Sequence, residues 1–116
     1  MKPSPDRPVY LRLRDEIVAM ILDGRVRDGE ALPSVRAFAA AQGANPLTVA
    51  KAYQSFQDQG YVEVRRGVGM FVIVGAAERL RLGARRHFLE QEWPEIHARM
   101  RRLGLDPAEL GSDAVR

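Results

Sequence analysis

Residues 34–60 read SVRAFAAAQGANPLTVAKAYQSFQDQG, and this stretch decides the fold. Ser34 is suited to be the N-cap of a helix that ends at Gly43, because its hydroxyl can accept a free backbone N–H of the first turn. Asn45 and Pro46 are typical of the N-cap and first residue of a second helix. Two helices joined by so short a turn must cross steeply, so the stretch predicts a helix-turn-helix.

The second helix, which we expect to run to Gln59, has two unlike faces. The apolar face repeats at helical spacing and must join the core. The other face carries Leu47 and Lys51, with Asn45 and Thr48 at the N-terminal end, which in a helix-turn-helix enters the major groove. There Asn can pair with adenine, Lys with guanine or phosphate, and Leu or the Thr methyl can contact a thymine methyl. An ordinary solvated face is the alternative. The core residues are Val49, Ala52, Tyr53 and Phe56.

Arg36 follows the Ser34 cap by two residues, so it projects from the start of the first helix toward the side of the recognition helix N-terminus. Its near neighbours in the sequence include no carboxylate. We therefore expect Arg36 to contact a phosphate or a base in preference to forming a surface ion pair.

Two β-branched and aromatic runs at residues 61–64 and 70–74 predict a hairpin. Its tip pairs two arginines with two glycines, so it can approach a phosphate backbone closely and keep positive charge there. A nucleotide-binding glycine loop is excluded because a strand follows, where that loop needs a helix. The hairpin is therefore interpreted as a DNA-binding wing. Its expected contact residues are Arg65, Arg66, Gly67 and Gly69.

An amphipathic helix precedes this region and another segment follows it. The Pro-rich opening that ends at Pro8 predicts a flexible arm. The N-terminal helix begins after Pro8 and ends at Gly24. Ala31 and Leu32 predict a very short strand. After Gly75 the helical pattern returns, Pro94 is expected to end or kink it, and a capped turn and a frayed tail follow. The apolar face predicted for this N-terminal helix comprises Val9, Leu13, Ile17, Met20 and Ile21.

The segment after Gly75 is too apolar to be buried against a small winged domain alone, so we expect a second copy of the chain to cover it. We predict an α+β, mainly helical protein: a winged helix-turn-helix with a two-stranded wing at residues 8–74, and a short C-terminal helical dimerisation extension at residues 76–110. The predicted dimerisation residues are Leu80, Ala84, Phe88, Trp93, Ile96, Met100 and Leu103.

Composition narrows the class of protein. The chain has 116 residues, a formal net charge of +3 and no cysteine, which suits a single small domain in a reducing compartment. No apolar run approaches the length of a membrane span or a signal sequence. His87 and His97 lack companions for a metal site, and no catalytic constellation is evident, so we expect neither an enzyme nor a cofactor. The expected location is the cytoplasm.

The motifs LPSVRAFA (residues 32–39), TVAKAY (residues 48–53) and RGVG (residues 66–69) resemble the GntR family of bacterial regulators, in the family's order and spacing over residues 8–74. The segment NPLTVAKAY (residues 45–53) is similar, more narrowly, to the YtrA-like subfamily. The resemblance implies transcription regulation and dimerisation through a short C-terminal helical extension.

The same resemblance implies DNA contacts at Arg36, at four positions of the second helix and at the wing. Many family members have Arg at positions 46 and 50, where this chain has Pro and Ala, and the subfamily often has Asn at position 47, so the operator does not carry over. The four helix positions are Asn45, Leu47, Thr48 and Lys51.

We therefore expect a bacterial cytoplasmic regulator, most simply a repressor, that binds an inverted-repeat operator on double-stranded DNA as a homodimer and is nucleoid-associated when bound. A non-specific architectural DNA protein is the alternative; it would show a steep salt dependence with little sequence preference. A winged-helix module for protein interaction is a third interpretation, in which Arg36 and Lys51 would be dispensable. The sequence does not indicate whether a small-molecule effector binds.

Overall fold

The computed structural model describes residues 8–111; the predicted N-terminal arm and frayed tail lie outside this range. The described part is mainly helical with one two-stranded antiparallel sheet, which confirms the predicted fold class. It contains α1 (Val9–Leu22), α2 (Val35–Gln42), α3 (Pro46–Asp58), β1 (Val62–Arg65), β2 (Gly69–Val72), α4 (Ala76–His87), a π-helical turn (Phe88–Glu92), α5 (Trp93–Arg102) and α6 (Pro107–Leu110).

The first compact unit extends to Leu80 and contains the winged helix-turn-helix. The apolar face of α3 is buried as predicted, and it packs with the buried faces of α1 and α2 in one core. Val9 is the exception on α1, since it is 44% exposed. Burial of a large aliphatic or aromatic side chain contributes about 1.5–3 kcal/mol, so this core holds the two crossing helices in place. Its largest fully buried side chains are Phe56, Ile17, Ile21, Val49, Val62 and Val72.

The caps of the helix-turn-helix form as the sequence predicts. The Ala37 N–H donates to Ser34 Oγ at 3.1 Å, and Gly43 ends α2 with a φ of +62°. A residue with a Cβ is disfavoured in that left-handed conformation. Asn45 caps α3 and Pro46 stands in its first turn. The turn between α2 and α3 therefore needs only three residues.

The hairpin β1–β2 pairs Val62 with Val72 and Arg65 with Gly69, which leaves residues 66–68 as the turn. The predicted short strand before α2 is reduced to one antiparallel bridge between Ala31 and Phe71. This bridge joins the wing to the segment that leads into α2.

The two compact units divide between Leu80 and Arg81, later in the chain than the predicted start of the extension. The first turn of α4 belongs to the winged unit, because Ala76 and Leu80 are buried in its core. Leu80 and Met100 are each only 7% exposed, and Leu80 completes the core of its own unit, so little of either side chain is available to a partner; the dimer interface itself stays a prediction.

The second unit contains the rest of α4, the π-helical turn, α5 and α6. Pro94 does not end the helical path, because the turn before it is π-helical and the Trp93 N–H donates to Phe88 O. Such a turn adds one residue to the helical repeat, and Pro94 then stands in the first turn of α5, where a missing N–H costs nothing. The predicted capped turn is α6, closed by a capping box between Asp106 and Glu109. None of the helices in residues 8–111 combines the length and apolar content needed to cross a bilayer.

Candidate nucleic-acid interface

The N-terminal half of α3 has an exposed surface opposite its buried face. Leu47 is 78% exposed, and Lys51, one turn later, is exposed as well. Residues four apart on a helix are neighbours on one face. The Lys51 ammonium makes no hydrogen bond or ion pair within the part of the chain that the structure describes. An apolar side chain and a cation therefore lie together on the surface, without partners from the core.

Asn45 and Thr48 are placed at the start of this surface, and their side chains are not equivalent. The Leu47 N–H donates to Asn45 Oδ1 at 2.8 Å. Reading adenine with an amide requires both its oxygen and its nitrogen. Because the oxygen serves as the helix cap, only the Nδ2 donors of Asn45 face outward. Thr48 is half-buried beside it.

Arg36 is exposed in the first turn of α2, and its guanidinium has no hydrogen-bond or ion-pair partner among residues 8–111. The helix that carries it is tied to the recognition helix. The Tyr53 hydroxyl donates to Pro33 O at 2.8 Å, and the rings of Phe38 and Tyr53 are 5.8 Å apart. Burial raises the pKa of the Tyr53 phenol, so the hydroxyl remains a donor at neutral pH. The starts of α2 and α3 are therefore held in a defined relation.

The wing presents its two arginines differently. The Arg65 guanidinium carbon lies 4.0 Å from the centroid of the Phe71 ring, and its Nη2 is 3.5 Å from a carboxylate oxygen of Glu63. Arg66 is exposed at the turn and has no such partner among residues 8–111. Gly67 and Gly69 both have positive φ, 76° and 148°, as the tight turn requires. Arg65 is thus held along the strand, while Arg66 is free to reach outward.

Two further contacts, which the sequence analysis missed, hold the first turn of α4 in the winged unit. The Asp28 carboxylate accepts the N–H groups of Gly75 and Ala77 at 2.8 and 3.2 Å. The Arg79 guanidinium donates to the carbonyl oxygens of Gln59 and Gly60, at the C-terminal end of α3. The partners of both contacts are far apart in the sequence, so no local pattern predicts them. The only indication of a cap was the presence of an Asp in a predicted turn.

Arg12 is another residue that the sequence analysis passed over. It lines a cleft of about 210 Å³ between α1 and the start of α3, together with Asn45 and Thr48. Helical periodicity places Arg12 on the solvated side of α1. It does not predict the cleft, because the cleft forms where α1 packs against the turn between α2 and α3.

Neither histidine is arranged for metal binding. His87 Nε2 is 3.2 Å from a Glu92 carboxylate oxygen, and the His97 ring stacks on Trp93 at 5.2 Å. Residues 8–111 contain no group of three or more side chains that could hold a metal ion.

Comparison with known proteins identifies the family. The model of the bacterial regulatory proteins of the gntR family matches residues 9–72. The chain is 35% identical over 78 residues to the HTH-type transcriptional repressor YtrA of Bacillus subtilis. The matched stretch covers 67% of this chain and 60% of YtrA. It is 32% identical to the Bacillus subtilis HTH-type regulator YhcF over 90% of this chain and 84% of that protein.

The fold has a close match among solved structures. A transcriptional regulator from Oenococcus oeni is similar with a TM-score of 0.67 and 29% identity, over 96% of this chain and 91% of that one. The relatives named above are regulators with a helix-turn-helix, as the sequence motifs predicted, and none is named as an enzyme. The chain therefore belongs to the GntR family of bacterial transcription regulators and contains the family's DNA-binding domain.

Proposed function

We propose that this protein is a sequence-specific repressor that binds an inverted-repeat operator as a homodimer. The observation that carries the proposal is the exposed surface of α3, where Leu47 and Lys51 lie side by side without partners from the described part of the chain. In the major groove a cation can pair with guanine, and a leucine methyl can contact a thymine methyl.

Positive charge on both sides of α3 supports the docking. Arg36 lies at the start of α2 and Arg66 at the turn of the wing, both exposed. Arg66 on the wing suits a phosphate contact, which fixes the register of a protein on the duplex, and Arg36 suits a phosphate or a base contact, as the sequence predicts.

Apolar surface in the second unit supports the homodimer. Large side chains exposed there exceed what a small unit leaves in solvent by chance, and a two-fold partner would bury the same patch on both chains. Two recognition helices related in this way would meet successive major grooves about one turn of DNA apart. The exposed residues are Leu82, Phe88, Leu89, Leu103, Leu105 and Leu110.

Repression is the mode proposed because YtrA of Bacillus subtilis, to which the chain is similar, is named a transcriptional repressor. A dimer seated on an inverted repeat within a promoter would block access of the polymerase. On this proposal the protein acts in the bacterial cytoplasm, on nucleoid DNA.

Selection of bound sequences from a random pool of duplex DNA tests the proposal. We expect enrichment of one inverted repeat with half-sites about one helical turn apart. Binding without enrichment would identify a non-specific architectural protein, with a steep dependence on salt. Absence of DNA binding would favour the interpretation as a protein-interaction module.

A further inference from the structure

The N-terminal half of α1 borders the same surface as the start of the recognition helix. Arg12 lines the cleft of about 210 Å³ that Asn45 and Thr48 also line. The Arg12 side chain is exposed, and its guanidinium forms no hydrogen bond or ion pair with residues 8–111. A cation at the rim of a cleft, with no internal role, is placed for a ligand outside the chain.

The polar groups of this cleft are donors on side chains. Asn45 has its oxygen engaged by the Leu47 N–H, which leaves its Nδ2 hydrogens free. The Thr48 N–H is bonded to Asn45 O at 2.9 Å, so the backbone of this turn is already satisfied. The Thr48 hydroxyl and the Arg12 guanidinium are further donors, and the Gln42 amide also lines the cleft.

Chemistry and position together identify the ligand as an anion on DNA. Among residues 8–111 no carboxylate lines the cleft, and the remaining lining there is apolar or amide. A guanidinium with amide and hydroxyl donors suits phosphate oxygens. Asn45 and Thr48, which line the cleft, stand on either side of Leu47 at the start of α3, so a duplex bound to the exposed surface of α3 would pass close to the cleft.

We propose that Arg12, Asn45 and Thr48 together bind one phosphate of the DNA backbone, which adds α1 to the DNA-binding surface. The inference rests on the proposed function, since it takes α3 as the recognition helix. It assigns Arg12 a role and gives Asn45 a phosphate in place of the adenine expected from the sequence. Contacts to phosphate position the protein and carry no sequence information directly.

The test measures affinity for the selected operator against salt concentration in three variants. Arg12→Gln removes the cation, Thr48→Val removes the hydroxyl and keeps the shape, and Asn45→Asp keeps a capping oxygen but directs a carboxylate toward the phosphate. We expect each variant to bind several-fold more weakly. Loss of the Arg12 charge removes one phosphate contact from each chain of the dimer, so it should also make the slope of log K against log salt shallower by about 1.8, or about 0.9 per chain.

The matched control is Arg27→Gln, which removes the same charge beyond the other end of α1, a helix about 20 Å long at 1.5 Å per residue. Arg27 is exposed. It should bind DNA like the unmodified protein, and circular dichroism should show all four variants folded. Sequence selection repeated with Arg12→Gln should return the same operator.

Two results would overturn the phosphate site. One is that Arg12→Gln has the same affinity and salt slope as Arg27→Gln while the unmodified protein still selects its inverted repeat. That result would leave the proposed function intact. The other is a changed base preference in Arg12→Gln, which would make Arg12 a base reader. If the unmodified protein binds no DNA, both proposals fail together.

Discussion

At the scale of single residues, the side chains near the recognition helix divide into those used inside the chain and those left for a ligand. Ser34 and Asn45 give their oxygens to helix caps. Arg36, Leu47 and Lys51 have exposed side chains outside the core. Because a buried or capping group cannot also read a base, the exposed three are the better candidates for sequence recognition.

Truncation of the two cations tests this division. We expect Lys51→Ala and Arg36→Ala each to weaken operator binding by about 1–3 kcal/mol, the usual value of a base contact, without loss of folding, since both side chains lie off the buried faces. Fluorescence anisotropy with a labelled operator measures the affinity, and circular dichroism measures the folding. Unchanged affinity in both variants would reject this docking face.

At the scale of elements, the wing is a two-stranded hairpin whose arginines differ in freedom. Arg65 is stacked on Phe71, whereas Arg66 is not held within the described chain. A stacked guanidinium loses less conformational entropy on binding a phosphate. We expect both residues to contact the DNA backbone and not the bases.

The wing variants Arg65→Ala and Arg66→Ala should weaken binding to all DNA sequences alike. Each should reduce the salt slope by about 1.8, because one phosphate contact is lost from each chain of the dimer. Binding isotherms at several salt concentrations, on the operator and on a scrambled duplex, provide the measurement. A loss confined to the operator would mean that the wing reads bases.

The start of α4 depends on a cap from a distant turn. Asp28 accepts two N–H groups there, so Asp28→Ala should lower the free energy of unfolding by about 0.5–2 kcal/mol, the usual cost of losing an N-cap. Asp28→Asn, which keeps one of the two acceptor oxygens, should lose less. Urea denaturation followed by circular dichroism measures both. Equal loss in the two variants would show that the charge or the second oxygen is essential to the cap, and no loss in either would show that the cap is dispensable.

At the scale of the whole molecule, the apolar surface of the second unit is the feature that one chain leaves unexplained. Phe88 is 41% exposed and Leu103 is 68% exposed. We expect the double variant Phe88→Glu and Leu103→Glu to be a monomer, because paired copies would bury four carboxylates in an apolar patch. Light scattering after size exclusion measures the mass.

The monomer should also lose most of its affinity for the operator, since linking two half-site contacts is what makes dimer binding tight. Its affinity for a single half-site should stay the same, which serves as the control for an intact winged unit. An unmodified protein that remains monomeric at tens of micromolar, with or without operator, would contradict the homodimer.

Local signals in the sequence determined most of the fold. The caps at Ser34 and Asn45, the stop at Gly43 and the apolar spacing of α3 each involve residues within a few positions of one another. Chemistry of this kind depends on residues close together in the chain, so the pattern predicts it. The helix-turn-helix and its exposed face followed from these signals, and the wing followed from the two β-branched and aromatic runs at residues 61–64 and 70–74.

Only the tertiary structure decided the contacts between residues far apart in the chain. Leu80 joins the winged core, and Asp28 caps a helix that begins nearly fifty residues later. Arg12 comes to line one cleft with Asn45 because α1 packs against the turn. Helical periodicity places a side chain on a face but does not state what lies opposite, since that depends on how all the apolar faces pack together.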